Sequence, residues 1–150
     1  CGRGHEVIFF GENGFDVTAV DYSIGAVNHL NSVVLDRKLN IRVLNLDFFE
    51  LDSTHDCLYD LLIEQTFFCA ISPSQRPLYV KTVARILKKG GMIVGLFYNT
   101  GQEGGPPFNT TRQDIIKHFS GLFEIRELTQ AKNSAEKRKG KEWLAILVKK

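Results

Sequence analysis

Apolar positions change their period repeatedly along these 150 residues. Short runs rich in β-branched and aromatic residues alternate with longer stretches whose apolar residues recur every three or four positions, as strands separated by helices do. Residues 15–20 (FDVTAV), 41–46, 59–63 (YDLLI), 92–98, 123–128 and 143–148 read as strands. Residues 23–37 read as a helix capped by Ser23, and 111–119 as a short helix. Residues 74–88 place Leu78, Val80, Val83, Ala84 and Leu87 at helical spacing. That helix is expected to stop at Lys88-Lys89-Gly90-Gly91, a basic last turn followed by glycine. The alternation predicts an α/β fold, a Rossmann-like doubly wound and mostly parallel sheet with helices on both faces. Residues 101–109 form a Gly/Pro loop, and the polar, basic segment 129–141 predicts a hairpin-like connection, which makes the last strand antiparallel.

A length of 150 residues with 43% hydrophobic content suits one domain, 1–150, around one core. The formal charge of +2 argues against a general polyanion binder. Charge is nevertheless uneven, since residues 132–150 hold seven Lys or Arg against two Glu. Lys137-Arg138-Lys139 with Lys141 lacks the interleaved aromatics of a nucleic-acid surface and reads as a solvated loop, so no nucleic-acid partner is expected. Cys1, Cys57 and Cys69 form neither a disulfide framework nor a metal-ligand spacing, which fits a reducing, cytoplasmic setting. Cys69 lies in an apolar run and is expected to be a small core residue. His5, at the start of a helix, reads as solvated, and His29, His55 and His118 are too scattered for a metal site. No apolar run approaches the roughly 20 residues that cross a bilayer, so no membrane partner is expected.

Candidate chemistry begins at Cys1-Gly2-Arg3-Gly4. Glycines let the backbone turn sharply and approach a ligand, and a helix after them directs free amides at whatever is bound. Asp21 ends the next strand, near the spacing at which an acid accepts hydrogen bonds from a ribose diol. An ordinary surface turn, with Asp21 capping the helix near Ser23, explains the same residues. Asp47-Phe48-Phe49 adds an acid and an aromatic at another strand's carboxyl end, the edge where open α/β sheets bind ligands and where adenine can be met by both groups. A nicotinamide-dependent oxidoreductase shares the glycine turn and the ribose acid but not Asp47-Phe48. Residues 64–71 (EQTFFCAI) set polar against apolar groups after the YDLLI strand and suit a pocket floor.

The stretches TFFCAISPSQRPLY, LKKGGMIVGLFY, GGPPF and RKGKEW resemble the thiopurine S-methyltransferase superfamily, and within it the plant-type halide, thiol and thiocyanate methyltransferases. The likeness runs from Cys1 to about Trp143. It implies a class I methyltransferase fold with a seven-stranded sheet, S-adenosylmethionine as methyl donor, S-adenosylhomocysteine as product, and a small soft nucleophile as acceptor. It further implies that Cys1, Gly2 and Gly4 cradle the methionine part of the cofactor, that Asp21 and Tyr22 hold its ribose, and that Asp47 and Phe48 meet its adenine. Glu64 and Gln65 would lie beside the cofactor, with Gln65 near the methyl group. Arg76 would organise the substrate side, and Phe67, Pro107 and Phe108 would help close the pocket, so that Gln65 and Arg76 are the implied catalytic pair. The protein is expected to act as a monomer on a small molecule. Relatives carry aspartate followed by tyrosine or arginine where this chain has Glu64-Gln65, which leaves the acceptor open and also admits an inactive, methyltransferase-like binding module. The first strand and an aromatic-rich amino-terminal segment of that family are expected to lie before Cys1.

Overall fold

The computed structural model describes all residues, 1–150, and its contacts fall into two compact units, Cys1–Asp52 and Ser53–Lys150. The first unit holds α1 (His5–Glu12), β1 (Val17–Asp21), α2 (Ile24–Asp36) and β2 (Ile41–Asn45). β1 and β2 pair in parallel, with Val17 opposite Ile41 and Asp21 opposite Asn45. Parallel pairing through the α2 crossover brings both strands' carboxyl ends to one edge. Val27 and Leu30 of α2 are buried with Ala19 of β1. Gly4 must be glycine for two reasons: its φ is +72°, and a Cβ there would sit 2.6 Å from Leu30 Cδ1.

The second unit holds β3 (Tyr59–Gln65), α3 (Arg76–Ile86), β4 (Leu87–Tyr98), α4 (Arg112–Phe119), β5 (Phe123–Gln130) and β6 (Glu142–Lys149). Its strands lie in the order β3-β4-β6-β5. β3 and β4 are parallel, whereas β6 runs antiparallel to both β4 and β5, as the basic connection before it predicts. One face of this sheet presents Ile93, Phe97, Ala145 and Leu147 to the core, all at most 1% exposed. Phe68 is the centre of an aromatic cluster there. Its ring centroid lies 5.4 Å from those of Tyr79 and Phe97 and 5.5 Å from that of Phe119. These are edge-on or tilted contacts that hold the ring directions as well as burying area.

Several sequence expectations are corrected. The six strands form two separately hydrogen-bonded sheets, because no strand of this chain ladders between β1 and β3. Ser23 caps α2 only by position: its side chain makes no capping bond, and the Ser23 amide donates instead to Asp21 Oδ1 at 2.9 Å. The helix expected over 74–88 starts at Arg76 after a 3-10 turn at Pro73–Gln75 and ends at Ile86. Lys88-Lys89-Gly90-Gly91 is a bulge in β4 rather than a helix end. Fully buried Leu87 pairs with Tyr59, the ladder resumes at Leu61 with Met92, and the four residues between are looped out. Gly90, at φ +76°, supplies the turn, and Lys88 Nζ reaches Asp60 at 2.8 Å.

At the start of α4 the Thr111 hydroxyl accepts from the Asp114 amide, and Asp114 accepts from the Thr111 amide at 2.8 Å, a reciprocal capping box. Burial pushes the Asp114 carboxyl up, but the two Thr111 hydrogen bonds and the Arg76 charge outweigh it and hold it below its ordinary range. Thr111→Ala is expected to lower stability by about 1 kcal/mol, measurable by urea denaturation.

Candidate active site

The candidate residues form two sets, one in each unit, at the carboxyl ends of that unit's strands. In the first unit Asp21 ends β1, and its carboxylate gathers the glycine turn. Oδ2 accepts from the Cys1 nitrogen at 2.9 Å and from the Gly2 amide at 2.8 Å, while Oδ1 accepts from Ser23. Burial raises this carboxyl, yet the hydrogen bonds from the Cys1 nitrogen and from the Ser23 and Gly2 amides prevail and keep it below its ordinary 3.8. Asp21 is therefore a fixed anion. The neighbouring β2 end is tied to it, since Asn45 Nδ2 donates to the backbone oxygens of Asp21 and Tyr22, each at 3.1 Å. Asp47 opens a 3-10 turn, Phe48–Glu50, by accepting from the Phe49 amide at 2.9 Å. The Phe48 and Phe49 rings meet edge to face, 5.9 Å apart, and both are half-buried.

The ordinary reading of Asp21 is partly right, because it does hold the α2 start. It does not exhaust the carboxylate: with about four acceptor positions available, three donors leave Oδ1 room for another. The turn also fits a polar ligand. Gly2 lies at φ +55° with open space where a Cβ would be, and Gly4 precedes α1 with no side chain capping the helix's first amides. Tyr22, beside Asp21, is 79% exposed.

In the second unit β3 ends at Gln65, whose side chain is exposed, and Thr66 then adopts a left-handed φ of +66°. That conformation is costly for a β-branched residue and reverses the chain into the loop 67–71. Glu64, by contrast, turns inward and is 3% exposed. Its Oε1 accepts from the Phe67 and Phe68 amides at 3.0 and 2.9 Å, and its Oε2 accepts from the Tyr79 hydroxyl at 2.6 Å. The Glu64 carboxylate thus shapes the loop after β3, and only its backbone remains to meet a ligand. Thr66→Gly is expected to raise thermal stability by roughly 1 kcal/mol by releasing the strained φ.

Arg76 is also turned inward. Its guanidinium lies 4.7 Å over the Phe68 ring, and Nη2 donates to the Asn109 carbonyl at 2.9 Å, to Thr110 Oγ1 at 3.2 Å and to Phe108 O at 3.4 Å. From the other side, the Phe108 amide donates to Cys69 O at 2.6 Å. Arg76 thereby fastens the Gly/Pro loop holding Pro107 and Phe108 to the loop that follows β3. In this arrangement it is a positioning residue. Cys69 is 3% exposed, and burial together with the Glu64 charge pushes its thiol up, as befits a core residue. The basic connection is not all solvated: Arg138 pairs with buried Glu142 at 3.2 Å and lies 5.0 Å over Tyr98. No grouping of His, Cys, Asp and Glu can hold a metal, and no helix is long and apolar enough to cross a membrane.

The family model for thiopurine S-methyltransferase matches residues 1–149. The chain belongs to the thiopurine S-methyltransferase family. Over 148 residues it is 29% identical to the probable thiol methyltransferase 2 of Arabidopsis thaliana, covering 96% of this chain and 65% of that protein. Over 143 residues it is 27% identical to the thiopurine S-methyltransferase of Pseudomonas paraeruginosa, covering 85% and 66%. The chain thus spans about 65% of the length of the plant relative. The fold is that of class I S-adenosylmethionine-dependent methyltransferases. The Burkholderia thailandensis 1,6-didemethyltoxoflavin-N1-methyltransferase, solved with S-adenosylhomocysteine, superposes with a TM-score of 0.80 at 16% identity, over 99% of this chain and 67% of that one.

The sequence missed Tyr79, Thr66 and Thr110 in this family's loop framework. Tyr79 lies on the predicted helix without being one of its apolar positions, Thr66 carries no local mark of a left-handed φ, and Thr110 gives no signal at all.

Proposed function

We propose that the protein transfers the methyl group of S-adenosylmethionine to a small soft nucleophile, a thiol, thiopurine, thiocyanate or halide. The observation that carries this reading is the anionic Asp21 clamped to the Gly2 turn, in a chain of this family. Gly2, Gly4 and the first amides of α1 would hold the methionine part, Asp21 with Tyr22 the ribose, and Asp47 with Phe48 the adenine. When bound, the cofactor supplies an electrophilic methyl on a sulfonium.

The remaining work falls to this chain's side chains and is positioning and exclusion of water. Phe67 and Phe108 provide apolar surface that strips water from an anionic acceptor, and Gln65 offers an amide beside it. Arg76 keeps Phe108 in place. No side chain here is arranged as a base for a neutral thiol, which supports acceptors already anionic at neutral pH.

Calorimetry of the intact protein with S-adenosylhomocysteine tests the cofactor, and absence of binding at high micromolar concentration would reject the reading. Transfer of labelled methyl to iodide, thiocyanate or a thiopurine then separates an active enzyme from a methyltransferase-like binding module.

A further inference from the structure

We propose that Leu96 and Leu144 form the floor on which the body of the methyl acceptor rests. They are then the residues that set acceptor size, and they favour a thiolate carrying a carbon skeleton over a bare halide. The inference rests on the methyl-transfer reading, which puts Gln65 beside the acceptor and gives neither leucine a part. Gln65 pairs with Leu96, Leu96 with Leu144 and Leu144 with Thr129, so four side chains stand in one row across the second sheet. The row faces away from the aromatic cluster, because Glu64, the neighbour of Gln65, is the one turned inward to Tyr79. Phe97 and Ala145, which follow the two leucines along their strands, are buried in the same way. Leu96 and Leu144 themselves are only half-buried.

A cavity of about 490 Å³, within the range of small-molecule sites, opens over this part of the row. Leu96, Leu144 and Ala131 supply its apolar surface, and Glu127, Lys132 and Asn133 stand around it. The segment after β5 that forms one side is fixed from behind. The Ala131 amide donates to the Glu142 carbonyl at 2.9 Å, and Gln130 Nε2 donates to the Gly140 carbonyl at 2.6 Å.

Size separates the acceptors. A halide is on the order of one water, about 30 Å³, and leaves most of this space to solvent. An acceptor with a carbon skeleton displaces that solvent from the two leucines, and each methylene buried there is worth about fourfold in affinity.

The test compares thiophenol with thiocyanate in the intact protein, since both are anionic at neutral pH and differ chiefly in bulk. Transfer turns thiophenolate into thioanisole: its sulfur takes the methyl carbon, and the electron pair of the broken carbon–sulfur bond stays with the departing S-adenosylhomocysteine. Leu96→Phe and Leu144→Phe each place a ring on the floor, at strand positions that accept one. Each should lower kcat/KM for thiophenol relative to thiocyanate by about tenfold or more, chiefly through KM, with melting temperature and S-adenosylhomocysteine affinity as in the parent. Binding is read separately, without any transfer. Thioanisole at millimolar concentration, with S-adenosylhomocysteine present, should shift the methyl NMR signals of Leu96 and Leu144. The proposal is overturned if those signals stay in place, or if both variants keep the parent's ratio of thiophenol to thiocyanate. Shifted signals with no transfer to either acceptor would uphold the cavity and reject the methyl-transfer reading.

Discussion

Replacing Glu64 by alanine is expected to lower stability by roughly 3 kcal/mol or more, since it removes the acceptor of two amides and a tyrosine hydroxyl in a water-free setting, each worth about 1–3 kcal/mol. The affected groups are the Phe67 and Phe68 amides and Tyr79 Oη, all within 3.0 Å of the carboxylate. Glu64→Gln should behave differently. It keeps an acceptor for the two amides and lets the hydroxyl accept in turn. Burial is the dominant influence on this carboxyl and raises it above its ordinary 4.5 despite three hydrogen bonds that favour the anion. A raised folded value means that Glu64's contribution to stability is fully present below pH 4.5 and is lost as pH rises through the folded value. Thermal melts from acid to neutral pH should therefore fall more steeply in the parent than in Glu64→Gln. Equal slopes would remove Glu64 as the source. Burial and the Glu64 charge also push the Tyr79 hydroxyl well above its ordinary 10, so it remains a donor throughout that range.

Asp21→Ala is the largest expected effect in the first unit. Affinity for S-adenosylhomocysteine should drop by about ten- to a hundredfold, the worth of one or two hydrogen bonds to a charged group. Two losses combine there: the acceptor offered to the ribose, and the clamp on the Gly2 amide at 2.8 Å. Asp21→Asn separates them, because an amide oxygen can still accept from Ser23 or Gly2 but carries no charge. The carboxyl of Asp21 is held below 3.8, so its contribution is present above that pH and disappears as pH falls through the lower, folded value. Calorimetry on the three proteins at neutral pH measures both losses, and parental affinity in Asp21→Ala would exclude the carboxylate from the site.

What the sequence made legible follows from how local each signal is. The strand–helix alternation, the antiparallel last strand and the acid at the end of β1 depend on short-range periodicity and spacing, and the structure has all three. Lys88-Lys89-Gly90-Gly91 has the composition of a helix end, yet Leu87 is drawn into a ladder with Tyr59, a partner 28 residues earlier. Tertiary pairing overrides the local mark there. Glu64 and Arg76 show the same limit from another side. A charged residue next to a predicted pocket reads as facing the ligand, whereas both are turned into the core to hold loops, through partners 3 to 34 residues away. Only the fold reveals which way such a side chain points.

The order of strands in the second unit sets a schedule for making it. β6 is the last strand in the chain but lies between β4 and β5, pairing with β4 from Met92↔Val148 to Tyr98↔Glu142 and with β5 over the same length. On a ribosome, β4 and β5 emerge first and have no ladder to each other, so their facing backbone groups wait in water until residues 142–149 have cleared the exit tunnel. Such delayed, non-local pairing is slow and leaves sticky edges open meanwhile. Nascent chains arrested before Glu142 should therefore be held by chaperones, and the sheet should close in a single late step once residues 142–149 are free.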